Sequence, residues 1–198
     1  MHTLILARHG ESEYSAEGRV NGDASVDVGL TPSGEAQARA LGLALEATPL
    51  DLCVTTELAR TRRTAALALA GRDVPFEVWP DLNDPRAGAF EGRLLDEYRA
   101  WAWSTSSGEP APGGGESRLE LVARYARAYR ALLERPERTI LAVVHALPVA
   151  YLLGAVDGEA PAARIDRPIE YARATSVEAA DLDRALGVFE AWGASPGW

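Results

Sequence analysis

At 198 residues with a formal net charge of −9, the chain is long enough to bury a core and too acidic to favour binding along a nucleic-acid backbone. Its 47% apolar and 25% charged residues are ordinary globular values, which argues against wholesale disorder. Cys53 is the only cysteine, so an intrachain disulfide and a cysteine-rich zinc site are both excluded.

Leu4-Ile5-Leu6-Ala7 is a short apolar run closed by the Gly-containing turn Arg8-His9-Gly10-Glu11. That is the pattern of a buried strand ending at the carboxyl edge of a sheet, where open α/β folds place their ligand crevices. Arg8 supplies a fixed cation, His9 a nitrogen that can be neutral near pH 7, and Gly10 a close-approach turn. Together they form a kit for holding and attacking a phosphoryl group. The strand starts at about His2, which leaves no room for a signal peptide, and no apolar run reaches membrane-spanning length, so a cytoplasmic location is expected.

Residues 11–30 are rich in Gly, Ser, Asp and Glu and lack a period, reading as a long surface loop of the kind that carries function. Thr31 then caps a helix with Pro32 at its first position, and Ala38, Leu41 and Leu45 recur at helical spacing. Leu52-Cys53-Val54 is a second short strand with a buried, inert thiol, running into an alanine-rich helix that reaches about Ala70. Phe76-Glu77-Val78-Trp79 alternates as a half-buried strand does, and Pro80 stops it. The segment from Asp81 to Gly92 is turn-rich, residues 93–103 read as a helix, and Ser104 to Gly115 is either a linker or a mobile flap.

Leu119, Val122, Ala126, Tyr129 and Leu133 mark the clearest amphipathic helix. Thr139 to Val144 is a continuous apolar strand, buried on both faces, which delivers His145 at its end as the first strand delivers His9. A short helix over Leu147–Leu153, a polar loop, and late strands near Ser176 and over Leu186–Trp192 complete the chain. Strands alternating with helices predict one α/β domain over 1–198, a three-layer α/β/α sandwich whose central, mostly parallel sheet has helices on both faces.

Three strand ends thus carry candidate residues: Arg8 with His9, Arg60 one turn into the helix that follows the second strand, and His145. Taken singly, Arg60 reads as one more solvated helix charge and His145 as a core histidine. At equivalent places in successive β-α units they point the same way. Here the sequence resembles the histidine phosphatase superfamily, in its phosphoglycerate-mutase-like branch, over nearly the whole chain. Arg8-His9-Gly10-Glu11 matches the signature, and Gly29-Leu30-Thr31-Pro32-Ser33-Gly34 the loop-to-helix segment that follows. Arg60 with Thr64-Ala65 fits the second-arginine motif. Gly88, Glu91 and Gly92 fit the turn after the acidic residue, Gly115-Glu116-Ser117 opens the next helix, and Val144-His145 brings the second histidine.

The resemblance implies a metal-independent phosphatase that acts on a small phosphorylated metabolite through a phosphohistidine, with no cofactor. His9 is the implied nucleophile; Arg8, Arg60 and His145 clamp the phosphoryl oxygens. Arg19 in the first loop and Ser15 are further phosphate-binding candidates. Asp84, in Leu82-Asn83-Asp84, stands where the family usually has a glutamate as general acid, roughly 1.5 Å shorter in reach. Ser15 replaces a common asparagine, Glu57 a frequent proline, and Ala146 the glycine that usually follows the second histidine. A phosphoglycerate-mutase-type transfer is the nearest alternative, although Asn83-Asp84-Pro85-Arg86 does not match the mutases' extended Glu-Arg-His-Tyr segment. A non-catalytic phosphoester-binding protein is the other. Substrate choice is expected from the loops at about 11–30 and 81–115, where Phe90, Tyr98, Trp101 and Trp103 form either an aromatic wall or a packing layer. No membrane or nucleic-acid partner is expected, and the pattern carries no reading of oligomeric state.

Overall fold

A computed structural model describes residues 1–198. Five strands, β1 (Thr3–Arg8), β2 (Leu52–Thr55), β3 (Phe76–Val78), β4 (Thr139–Val144) and β5 (Ala174–Glu178), form one sheet in the order β3-β2-β4-β1-β5. All neighbours are parallel except β1 and β5. The helices are α1 (Glu13–Ala16), α2 (Pro32–Ala44), α3 (Ala59–Ala68), α4 (Leu95–Ser104), α5 (Arg118–Leu133), α6 (Ala146–Val156) and α7 (Ala179–Ala194).

Alternation along the strands builds the two faces. Leu4, Leu6, Leu52, Val54, Ile140, Ala142 and Val144 share one core with α5, α6 and α7. Ile5, Ala7, Cys53, Leu141 and Val143 share the other with α2 and α3. This is the expected three-layer α/β/α sandwich. Burial pushes the Cys53 thiol up to about 12, so it is inert at neutral pH. No helix is long and apolar enough to cross a membrane.

Local signals placed the helix starts. Thr31 accepts from Gly34 N at 3.0 Å above Pro32, and Ser117 and Glu120 form a reciprocal capping box on α5. The chain differs from expectation in its last third. Leu186–Trp192 is part of helix α7, not a strand: Leu182, Ala185, Leu186, Phe189 and Trp192 recur at helical spacing and lie buried in the core shared with α5 and α6. The first loop holds the short helix α1. Ser104 to Gly115 is neither linker nor free flap in this structure: Ser107 and Ala111 are buried, and Pro112 O accepts from Ala89 N at 2.7 Å. Strand β3 is an edge strand with Phe76 and Val78 exposed.

Candidate active site

Strands β1, β2 and β4 all point their carboxyl ends at one edge of the sheet. In the β1–β4 ladder Arg8 is opposite Val144, and His9 N donates to Val144 O at 2.8 Å, so the next residues, His9 and His145, are neighbours. Their ring centroids lie 5.3 Å apart in an edge-on arrangement. Arg60, the second residue of α3, reaches the same point from the end of β2. Gly10 permits the close turn: a β-carbon there would lie 2.4 Å from the carbonyl oxygen of Gly34. Its N–H donates to Thr64 Oγ1 at 2.9 Å, and that hydroxyl donates to Arg60 O at 2.7 Å, which ties the end of β1 to α3.

The Arg60 guanidinium is the hub. Nε donates to His9 Nε2 at 3.1 Å, and Nη2 meets Asp84 Oδ2 at 2.6 Å and His145 Nδ1 at 3.2 Å. Asp84 Oδ2 is also 3.2 Å from His145 Nδ1. The donor atoms of His9, Asp84 and His145 lie within 4.8 Å of one another, a spacing that could hold a metal ion. Here the arginine faces all three, so a fixed organic cation stands where a divalent ion would compete for the same lone pairs.

The electrostatics suit an imidazole nucleophile. His9 Nδ1 is 2.7 Å from Gly10 O, which holds the ring proton on that side and leaves the Nε2 lone pair. Burial, then the charges of Arg60, His145 and Arg8, hold the His9 ring well below the usual imidazole range. Burial, then Arg60, Arg124 and Arg8, depress His145 in the same way. The Thr56 hydroxyl lies 3.0 Å from His145 Nε2, so with Nδ1 accepting from Arg60 the ring proton sits on Nε2 and donates to Thr56.

The structure therefore gathers Arg8, His9, Arg60, Asp84 and His145. Neither Arg19 nor Ser15 hydrogen-bonds to any of these five: Arg19 is exposed, with Nε on Glu17 at 2.8 Å and Nη1 on Gly92 O at 2.7 Å, and Ser15 bonds Ser12 at 2.8 Å at the start of α1. Phe90, Tyr98 and Trp101 pack together with ring centroids 5.6–5.7 Å apart, whereas Trp103 is exposed beneath the Arg164 guanidinium.

Several partners escape sequence reasoning. Asn21 takes two Arg60 donors, at Oδ1 (2.5 Å) and at its carbonyl (2.9 Å). Gly22 beside it makes the fit possible, since a β-carbon there would sit 1.8 Å from Pro85 O. Arg124 donates to Asp81 O, Asn83 O and Asp84 O while paired with buried Glu116 at 2.6 Å. A readable signal existed for Arg124 alone: it interrupts the apolar stripe of α5, lying three residues from Leu121 and four from Ala128.

The pattern that describes the histidine phosphatase superfamily (branch 1) matches residues 4–193. The chain belongs to that superfamily. An adenosylcobalamin/alpha-ribazole phosphatase of Salmonella typhimurium is 37% identical over 120 residues, 57% of this chain and 58% of the relative, so the chain spans little more than half of that protein. A 2,3-bisphosphoglycerate-dependent phosphoglycerate mutase of a Methylobacterium species is 36% identical over 170 residues, 78% of the chain and 80% of the relative. Among solved structures, the alpha-ribazole phosphatase of Shigella flexneri superposes with a TM-score of 0.76 at 27% identity, covering 88% of this chain and 89% of that chain.

Proposed function

We propose that the protein is a phosphatase that hydrolyses a small phosphate monoester through a phosphohistidine on His9, without a metal ion. The observation that carries this reading is the buried Arg60 guanidinium set between His9 Nε2, His145 Nδ1 and Asp84 Oδ2. A phosphoryl group entering there meets fixed positive charge from Arg8 and Arg60, which serves a loose transition state better than covalent help would. His9 Nε2 attacks phosphorus in line; the P–N bond forms as the ester P–O bond breaks. Phosphate drawing on the Arg60 donors would release Asp84 Oδ2 to carry the proton that the departing alkoxide takes. In the second half, Asp84 accepts a proton from water, the oxygen of that water attacks phosphorus, the P–N bond breaks, and inorganic phosphate leaves.

The same reading treats 1–198 as one catalytic domain, with substrate chosen by residues 11–30 and 81–115, and places the protein in the cytoplasm, where its single buried thiol stays reduced. Its net charge of −9 is consistent with a small phosphorylated metabolite as partner, not a nucleic acid. The decisive experiment is acid quenching during turnover of radiolabelled phosphate esters. An alkali-stable, acid-labile label on the wild-type protein, absent from His9→Ala, supports the reading; release of phosphate with no such label sinks it. The similarity to a phosphoglycerate mutase keeps a transfer reaction as the second reading, and conversion of 3-phosphoglycerate to its isomer faster than its hydrolysis would favour that one.

A further inference from the structure

Arg8 carries a positive charge into the site, but unlike Arg60 it has no carboxylate partner among its hydrogen bonds. Its Nη1 donates to Ile169 O at 2.9 Å, and its Nε is buried with no hydrogen-bond partner. What lies against it is an aromatic ring: the Arg8 Cζ is 3.7 Å from the centroid of Tyr171. The same ring is 6.1 Å from the centroid of His9, so it borders the nucleophile as well. Tyr171 reaches this place from the segment before β5, which bonds the end of β1: Ala172 N donates to Arg8 O at 2.8 Å, and Tyr171 bridges Arg8 in parallel. Ala172 is buried and has φ of 48°, the one non-glycine residue in the left-handed region. An alanine adopts that conformation at a cost, and such cost persists where surrounding structure enforces it.

A long arginine stem with one carbonyl contact can swing. A ring face against the guanidinium restrains that freedom by attraction to the face, to which the Tyr171 hydroxyl adds a side-chain hydrogen-bond contribution, while the buried Nε stays without a partner. We propose that Tyr171 is a positioning residue for the phosphatase reaction. Its ring and the Ile169 carbonyl together fix the Arg8 guanidinium, so that its unspent Nε donor remains for the phosphoryl group. The inference rests on the phosphohistidine reading given above.

The test is a double-mutant cycle on the full-length protein, reading orthovanadate affinity and kcat/KM for p-nitrophenyl phosphate. Tyr171→Leu is expected to weaken both on the order of 10-fold, the scale of a lost stacking contact on a desolvated cation. Tyr171→Phe keeps the ring face and should stay within about threefold of wild type. In an Arg8→Lys background, Tyr171→Leu should cost almost nothing more, since it acts through the guanidinium. Tyr171→Gln serves in place of the leucine variant if that one fails to fold. A phenylalanine variant as damaged as leucine, or effects that add fully in the Arg8→Lys background, would overturn the proposal. If the wild-type protein neither binds orthovanadate nor releases nitrophenol, it is the phosphatase reading that falls; if it does both and Tyr171→Leu is silent, only the role of Tyr171 falls.

Discussion

His9 and His145 are delivered by adjacent strands of one parallel ladder, whereas Asp84 is delivered by a turn with no strand of its own. The histidines are neighbours because Arg8 pairs with Val144 in the register of β1 and β4, an arrangement written in backbone hydrogen bonds. Asp84 sits two residues after a single 3₁₀ turn, Pro80–Leu82, and the turn is held by side chains in and just before α5: Arg124 donates to the carbonyls of Asp81, Asn83 and Asp84, and Glu116, ahead of the helix, accepts from Arg86 N at 2.8 Å. The proposed nucleophile and the proposed acid are thus positioned by different kinds of force. The first placement rests on the sheet; the second rests on side chains, chiefly the buried Arg124–Glu116 pair with help from the Tyr125 hydroxyl on Asn83 O and from Glu57 on the Asn83 side chain.

Four perturbations bear on that contrast. His9→Ala should lower turnover by about 10⁴-fold or more, since no other group in the cluster is placed to accept the phosphoryl; an enzyme that kept a tenth of its activity would have another nucleophile. Asp84→Asn should slow the phosphorylation of alkyl phosphates by about 10² to 10⁴ in a single turnover, and p-nitrophenyl phosphate far less, because a nitrophenolate departs without a proton. Equal losses on both esters would remove Asp84 from the role of acid. Glu11 and Glu91 are poorly placed to replace it: Glu11 accepts from Thr31 Oγ1 at 2.8 Å, and Glu91 holds the amides of Gly22 and Ala87 at 2.9 and 2.8 Å.

Arg124→Met strikes the scaffold of the acid and leaves both histidines on their strands. It strands the Glu116 carboxylate, so urea unfolding should report a loss of about 3–5 kcal/mol, the usual cost of breaking a buried pair from one side. Its kinetic signature should copy that of Asp84→Asn in kind, with alkyl esters hurt more than aryl ones. A uniform loss on both esters would mean that the scaffold serves the histidines too. The smallest effect concerns pH. Because burial and the neighbouring arginines hold His9 and His145 well below the usual imidazole range, lowering the pH from about 7 to about 6 should leave the neutral nucleophile in place and kcat/KM without an acid limb from His9. Over the window below about 6.5 the unfolded chain takes up protons that the native histidines refuse, so stability falls with falling pH. Thermal midpoints measured across that window check the sign.

The same contrast separates what is legible in the sequence from what is not. Arg8, His9 and His145 stand next to apolar runs that can only be buried strands, and their chemistry is read at the ends of those runs. Asp84 is legible only through the family segment around it. Asn21, Tyr171 and Thr56 are not legible, since each is recruited across the chain to finish a hydrogen bond or a stack that exists only once the sheet is assembled. Arg19 shows another limit: its contacts with Glu17 two residues away and with the Gly92 carbonyl are not written in its loop. Leu186–Trp192 is helical where a strand is expected. The spacing back to Leu182 decides for a helix, because that face packs on α5 and α6.

Strand β3 closes the sheet with only three residues, and it turns Phe76 and Val78 to solvent at 49% and 48% exposure. An open, apolar sheet edge invites a second molecule to pair with it, and the surplus of negative charge works against such an encounter by keeping copies apart. Colloidal behaviour should therefore follow charge. The protein should be least soluble near its isoelectric point of about 4.9 and should begin to self-associate as added salt shortens the reach of that repulsion.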